Sequence, residues 1–394
     1  MSHHEATHTP VGGRLMTGPF MLLLAIAGLG AIVAAYRFAN GIGAVSNLSN
    51  GYPWGVWIAI DVVVGTAIGC GGYAVGLLVY ILNKGKYHPL VRPAVLTSLL
   101  GYGLAVIAVV IDLGRFWGLW KVPVYVWRWS HSPQLEVALC VAAYTAVLLI
   151  ELSPALFEKL RAGAASGTKR FAERALRLVE KNFIWLLALG LLLPTMHQSS
   201  LGTMMLLPGP KVHPLWFTPW LPLLFLVNAI IMGLAVVTLE SAFSARAFGR
   251  PRESGMLASL LHVAAWIALG WVLFRVIVVA ASGKLGLLAS GYGVAFLAEV
   301  GFLVVAGLML LSAQRRALPV CQVRAAILLL VGGILHRVNT YLVAFRPGDN
   351  FTYFPAVPEL LITFGIIAAE VAIYIAVVKT LPILHGHAPV KSAA

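Results

Sequence analysis

The chain has 394 residues, of which 60% are hydrophobic and 11% charged, and its mean hydropathy is +0.90. Soluble domains carry about 25% charged residues, so this composition excludes a soluble fold and predicts an all-α integral membrane protein. The formal net charge of +14 does not indicate a nucleic-acid partner, because the basic residues lie in short connections between apolar runs. Three scattered cysteines without CxxC or CxxCH spacing argue against an iron–sulfur cluster or covalent haem.

Apolar runs of membrane-spanning length recur along the whole chain. About 20 apolar residues cross a bilayer as a helix, so we predict about ten transmembrane helices, surrounded by membrane lipid. The runs lie near residues 18–38, 54–82, 93–113, 135–152, 183–207, 220–242, 256–280, 290–312, 321–345 and 358–382. We therefore divide the chain into a polar N-terminal tail (1–17), a polytopic transmembrane domain (18–382) and a C-terminal tail (383–394).

Lys and Arg are distributed unevenly over the connections between these runs. The even-numbered connections contain fifteen of them and the odd-numbered connections seven, so the positive-inside rule predicts that both termini are cytoplasmic. The longest inside connection, about residues 153–181, carries charges of both signs and predicts a short amphipathic helix. Four outside connections are rich in aromatic residues, Pro and Gly, which indicates a docking surface: 47–54, 117–129, 208–222 and 345–358.

The fifth run contains a concentration of polar side chains beside Pro194. His197, Gln198 and Ser199 follow within five residues of that proline. In lipid a proline frees a backbone carbonyl and every polar side chain needs a partner, so this segment must face protein, water or a ligand. We interpret it as a kinked or broken helix close to the functional site.

Ionisable residues inside the runs form an outer and an inner set. A helix rises about 1.5 Å per residue, and this places one group in a common layer of the outer half: Asp61, His197, Arg275, Glu299 and Arg337. Asp112, Arg115 and Glu136 lie just above that layer. An unpaired charge in lipid costs on the order of 3 kcal/mol, so these groups should pair around a cavity that suits a quinone. The alternative is a structural ion pair between Asp61 and Arg275 or Arg337.

The inner half contains Glu151, Glu240 and His262, with Glu370 near the midplane. Glu151 and Glu240 also fit an interfacial role beside Lys and Arg. Because carboxylates and histidine bind protons reversibly, Glu240, His262 and Glu370 are candidates for a proton path from the inner face toward the outer layer.

Longer motifs carry a specific resemblance. They are GYPWGVWIAID at 51–61, KYHPLVRPA at 86–94, IDLGR at 111–115, LPTMHQSSLG at 193–202 and KVHPLW at 211–216, with YLVAF at 341–345 and YFP at 353–355. These motifs closely resemble hydrogenase membrane subunits of the NrfD, or polysulphide-reductase membrane-subunit, family. The resemblance covers nearly the whole chain.

The resemblance implies an all-helical anchor in the bacterial inner membrane that reduces menaquinone or ubiquinone and itself holds no haem, iron–sulfur cluster or redox metal. Electrons would come from a periplasmic ferredoxin-like iron–sulfur subunit, fed by the small and large subunits of a [NiFe] hydrogenase. The family's quinone pocket lies on the electron-delivering side. Together with the outer layer, this gives the following quinone-binding candidates: Trp54, Asp61, Asp112, Arg115, His197, Gln198, Ser199, Arg275, Glu299 and Arg337.

Two other functions stay open on the sequence. A cytochrome b needs pairs of axial histidines on facing helices, and His197 and His336 have similar predicted depths, whereas His262 has no partner at its own depth. A secondary transporter with its substrate site at a broken fifth helix would work without partner subunits.

Overall fold

The computed structural model describes residues 8–163 and 166–384. Ten helices in these ranges are long and apolar enough to cross a bilayer, which confirms the prediction of an all-helical membrane protein. They are TM1 (Gly18–Asn40), TM2 (Trp57–Ile81), TM3 (Gly85–Asp112), TM4 (Pro133–Ala162), TM5 (Phe183–Met204), TM6 (Leu221–Ala247), TM7 (Ser254–Ala281), TM8 (Gly291–Leu311), TM9 (Pro319–Val343) and TM10 (Val357–Thr380). Residues 1–7 and 385–394 of the predicted tails lie outside the described ranges. The inside location of both termini stays a prediction.

The spans form two four-helix groups and a peripheral pair. TM2 to TM5 pack together, TM6 to TM9 pack together, and TM1 packs on TM10. TM2 and TM6 join the two groups and are the most buried spans, whereas TM1 is the least buried. Close approach of TM2 and TM6 needs Gly233, because a Cβ there would lie 2.6 Å from the carbonyl oxygen of Cys70.

The helical irregularity lies in TM2 and TM9 and not in TM5. TM5 is continuous from Phe183 to Met204 with Pro194 inside it, so the prediction of a broken fifth helix is wrong. Neighbouring side chains stabilise the helix there, since the Thr195 hydroxyl donates to the Leu191 carbonyl at 2.8 Å. TM2, in contrast, has π-helical turns at Trp57–Val64 and Leu77–Ile81, and TM9 ends in one at Asn339–Val343.

The polar connection between TM4 and TM5 contains the predicted surface helix, at Ser166–Lys181. Ala172 and Val179 pack against the bundle, whereas Phe171 and Leu178 are exposed. TM4 continues to Ala162, beyond the predicted end of its apolar run. We call Ser166–Lys181 the connecting helix.

Three of the four aromatic connections are joined to one another at the opposite end of the bundle. The Tyr52 hydroxyl donates to the Phe345 carbonyl at 3.0 Å, and the His213 backbone N–H donates to the Ala344 carbonyl at 2.7 Å. The connection between TM3 and TM4 lies apart from them and exposes tryptophans such as Trp127. The predicted docking function of this end stays a prediction.

Candidate functional site

His197 lies in a closed hydrogen-bond network between TM3 and TM5. Its Nδ1 lies 3.0 Å from the Leu193 carbonyl oxygen, which can only accept, so Nδ1 carries the hydrogen. Nε2 then accepts from the Tyr102 hydroxyl at 2.8 Å and from the Gln198 amide nitrogen at 2.9 Å. The imidazole is therefore neutral, has both nitrogens occupied and is 0% exposed.

Arg337 of TM9 completes this network from the other side. Its Nη2 donates to Gln198 Oε1 and to the Phe225 carbonyl, each at 2.8 Å, and its Nε donates to Asn228 Oδ1 at 2.8 Å. Nη1 donates to the Val63 carbonyl of TM2 at 2.9 Å. All of these partners are neutral oxygens. We call His197, Gln198, Tyr102 and Arg337 the histidine network.

Glu299 of TM8 organises a second buried cluster. Its Oε2 accepts from the Trp216 indole nitrogen at 3.0 Å and from the Asn339 amide at 2.9 Å. Its Oε1 lies 3.4 Å from His336 Nδ1 and 3.7 Å from Arg275 Nη2. The predicted outer layer is thus divided, because His197 and Arg337 belong to one cluster and Glu299 and Arg275 to another.

Asp61 belongs to neither cluster. Its Oδ2 accepts from the Thr363 hydroxyl of TM10 at 2.8 Å. The predicted ion pair of Asp61 with Arg275 or Arg337 is wrong, because Arg275 lies beside Glu299 and Arg337 is bonded to neutral groups. The Asp61 side chain therefore faces TM10, whereas the backbone carbonyl of Val63 in the same helix accepts from Arg337 of the histidine network.

A line of polar side chains occupies one face of TM10. Spacings of four and seven residues return to the same side of an α-helix, and they relate Glu359, Thr363, Glu370 and Tyr374. Glu359 accepts from the Tyr353 hydroxyl at 2.6 Å at one end, and the Tyr374 hydroxyl donates to Glu240 of TM6 at the other. Glu370 lies two helical turns along TM10 from Thr363, whose hydroxyl bonds Asp61. We call these four residues the TM10 stripe.

A cavity of about 400 Å³ opens beside the inner part of the TM10 stripe. Glu240, Glu370 and Tyr374 contribute to its otherwise mainly apolar wall, and Phe243 at its edge is 54% exposed toward lipid. We call it the lateral cavity. A smaller cavity of about 40 Å³, which includes Arg250, reaches Glu240 from the inner connection. The structure thus brings two of the predicted proton-path residues together, whereas His262 lines a separate cavity.

The remaining quinone-binding candidates are dispersed. The Trp54 indole donates to the Tyr341 carbonyl at 3.1 Å among the outer aromatic residues, and the Ser199 hydroxyl donates to carbonyls of its own helix. Asp112 lies beside Arg37, and Arg115 is exposed.

Sequence reasoning missed several of the groups that organise these clusters. Arg37 is 1% exposed and donates to the Ile111 carbonyl at 2.7 Å, although it resembles an ordinary loop cation in the sequence. No pattern in the sequence around Tyr102 indicated that this residue contacts His197. The polar face of TM10 could have been found, because Thr363 and Tyr374 share the helical period of Glu370.

The outer surface also contains a perturbed histidine. The His213 ring stacks on Tyr292 with 4.1 Å between ring centroids, beside Arg346. Burial, and then the positive charge of Arg346, lower the pKa of His213 below its usual value. His213 is therefore neutral at pH 7.

The residues between His197 and His336 do not fit a haem. Both nitrogens of His197 are hydrogen-bonded, so neither is free to ligate iron. His336 packs on Phe225, the Arg337 guanidinium lies 4.9 Å from the centroid of that ring, and Arg337 bonds Gln198. Side chains thus form a continuous series of contacts between the two imidazoles.

Known proteins share much of this sequence. The family model described as "Polysulphide reductase, NrfD" matches residues 44–344. The chain is 37% identical, over 98% of its length and 96% of the relative's, to the "Probable Ni/Fe-hydrogenase 2 b-type cytochrome subunit" of Escherichia coli (strain K12). It is 30% identical, over 62% of its length and 58% of the relative's, to the "Menaquinone reductase, integral membrane subunit" of Nitratidesulfovibrio vulgaris (Hildenborough).

Proposed function

The chain belongs to the polysulphide reductase NrfD family, and from that membership we propose that it is the membrane anchor and quinone-reducing subunit of a periplasm-facing [NiFe] hydrogenase. It is a multi-pass protein of the bacterial inner membrane. In the proposed complex, the small and large hydrogenase subunits pass electrons to a ferredoxin-like iron–sulfur subunit. That subunit reduces menaquinone or ubiquinone bound in this chain. The similarity to a hydrogenase subunit and to a menaquinone reductase subunit supports both parts of the proposal.

We further propose that electrons reach the quinone without a haem in this chain. The Escherichia coli relative is named a b-type cytochrome subunit, but His197 has no nitrogen free for iron. On this proposal the donor has to approach the outer face closely, because no haem in this chain would carry the electrons further.

The observation that carries quinone reduction is the TM10 stripe with its lateral cavity. Reduction of one quinone to quinol takes up two electrons and two protons. A positioned carboxyl group can deliver those protons to the quinone oxygens. The stripe brings such groups from the inner connection at Glu240, through Glu370, toward Asp61 in the outer half.

We place the quinone ring beside Asp61 and Thr363, at the outer part of the stripe. The Thr363 hydroxyl and the Asp61 carboxyl bind one quinone carbonyl oxygen, and Asp61 supplies a proton to the quinone. Glu370 then returns a proton to Asp61, and Glu240 reloads Glu370. This transfer takes place twice for each quinone, so that both protons of the quinol pass through Asp61. The lateral cavity admits the apolar tail from lipid. His262 is left out of this path because it lines another cavity.

The histidine network has a positioning role in this proposal. It bonds the Val63 carbonyl and the Thr66 hydroxyl of TM2. Because TM2 is π-helical there, these bonds hold the helix in the rotation that presents Asp61 to TM10. His197, Gln198 and Arg337 thereby act on the quinone through TM2 rather than by contact.

Asp61→Asn in the assembled complex tests the proposal. Hydrogen-dependent quinone reduction should fall about 100-fold, as expected for loss of a proton-transferring group, while hydrogen-dependent reduction of a soluble dye is unchanged. Glu180→Gln, exposed on the connecting helix and away from the outer connections, is the matched control and should leave both activities intact. An assembled Asp61→Asn complex that reduces quinone at the wild-type rate would overturn the placement.

A further inference from the structure

A group of cations that the proposed function does not use lies where TM2 and TM8 end. Lys84 and Lys86 follow TM2, and Arg316 lies in the short helix Ala313–Ala317 after TM8. With His262 of TM7 they line one cavity of about 450 Å³, which we call the basic cavity. Its described wall contains neither aspartate nor glutamate.

The walls of the basic cavity are held together without a ligand. The Gln322 side-chain nitrogen donates to the Arg316 carbonyl and to the Ser254 carbonyl, each at 2.8 Å, and so ties the short helix to the start of TM7. Arg316 Nη1 donates to the Leu311 carbonyl at 2.7 Å, which holds the guanidinium against the end of TM8. Gln322 is 2% exposed. Binding therefore does not have to order Arg316, whereas the exposed Lys84 and Lys86 are ordered by the ligand.

The basic cavity is graded from charged to apolar along the membrane normal. Lys84 and Arg316 lie just beyond the ends of their spans, at the level of lipid headgroups. His262 lies eight residues into TM7, about 12 Å along the helix axis at about 1.5 Å per residue. Leu78 and Val263 supply an apolar wall inside the span. The cavity therefore offers cations to a headgroup and apolar surface to acyl chains.

We propose that the basic cavity binds the phosphodiester headgroup of an anionic phospholipid. Basic pockets between transmembrane helices recognise such headgroups, and phosphate oxygens accept charge-assisted hydrogen bonds from ammonium and guanidinium groups. The ammonium group of a zwitterionic lipid would find no carboxylate to pair with in this wall and would be repelled by the cations. A soluble anion would leave the wall formed by Leu78 and Val263 uncovered.

Native mass spectrometry of the intact complex in mild detergent tests this, with phosphatidylglycerol or phosphatidylethanolamine of identical acyl composition as the added probe. Each cation near an anionic lipid adds about fivefold to binding, so Lys84→Gln/Lys86→Gln should weaken phosphatidylglycerol binding about 25-fold. Phosphatidylethanolamine should bind weakly to both proteins. Lys169→Gln/Arg170→Gln on the connecting helix is the matched control, because it removes two exposed cations outside the cavity, and it should bind like the wild type.

Three results would overturn the proposal. One is equal binding of the two lipids to the wild type. Another is a Lys84→Gln/Lys86→Gln variant that binds phosphatidylglycerol as tightly as the control. The third is complete displacement of the lipid by millimolar inorganic phosphate, which would assign the cavity to a soluble anion. Resistance to phosphate, with loss of lipid in the double variant, supports the lipid site.

Discussion

Replacing Glu370 with glutamine interrupts the proposed proton path between Glu240 and Asp61 while keeping the shape of the side chain. Glu370 lies in the wall of the lateral cavity, two helical turns along TM10 from Thr363, which bonds Asp61. An amide cannot bind and release a proton at neutral pH. We therefore expect hydrogen-dependent quinone reduction to fall about 100-fold, within the range that proton transfer contributes to catalysis.

The path also predicts how much charge crosses the membrane. Asp61 lies four residues inside the outer end of TM2, about 6 Å at about 1.5 Å per residue, so protons from the inner face cross most of a core about 30 Å thick. Electrons cross the remaining part from the outer face. Two protons moving outward and two electrons moving inward together transfer two full charges per quinone. A potential of 100 mV, positive outside, then opposes reduction by about 4.6 kcal/mol, or about three powers of ten in the equilibrium constant.

Proteoliposomes with the hydrogenase subunits facing outward measure this charge. Valinomycin makes the vesicle membrane permeable to potassium. Proteoliposomes with wild-type complex that oxidises hydrogen should then take up about two potassium ions per quinone reduced, because each positive charge that leaves the lumen is replaced by one potassium ion. Glu136→Gln, at the outer start of TM4, is the matched control. It should keep the wild-type rate of quinone reduction and the wild-type number of potassium ions taken up per quinone. If actively turning-over wild-type complex takes up no potassium, the protons come from the outer side and the inner path is not used.

Three further predictions follow from the buried clusters and the outer surface. Arg337→Met leaves buried acceptors such as Gln198 Oε1 and the Val63 carbonyl without a donor, and each unpaired acceptor costs about 1 kcal/mol or more of folding stability. The thermal midpoint of the detergent-solubilised complex should therefore fall. An unchanged midpoint would contradict the histidine network. The pKa of His213 is lowered in the folded protein, so its contribution to stability should be present above the unfolded value of about 6.5 and lost as pH falls from there through the lower folded value; the fall in melting temperature between pH 7.5 and 5.5 should shrink in His213→Phe. Purified protein should show no stoichiometric haem in a pyridine haemochrome assay, and one haem per chain would refute the fit of side chains around His197.

Hydropathy alone predicted the ten spans, because a lipid-exposed backbone must satisfy its hydrogen bonds within each helix and therefore needs long uninterrupted apolar runs. The charges of both signs between the fourth and fifth runs predicted the connecting helix. The helical rise per residue also placed Asp61, His197 and Glu299 at similar depth. Longer motifs, two of which contain Asp61 and His197, indicated the family, and the comparison confirmed it.

Depth is one coordinate, however, and the partners of a residue depend on the rotation of its helix, which only tertiary packing decides. The Asp61 carboxyl accepts from Thr363 of TM10, whereas the Thr66 hydroxyl of the same helix accepts from Gln198 of TM5. The π-helical turn that contains Asp61 changes the number of residues per turn, so α-helical periodicity does not give the relative directions of these two side chains. A single predicted layer thereby became two separate clusters and a stripe, because the partners of a buried polar group are set by what its helix faces.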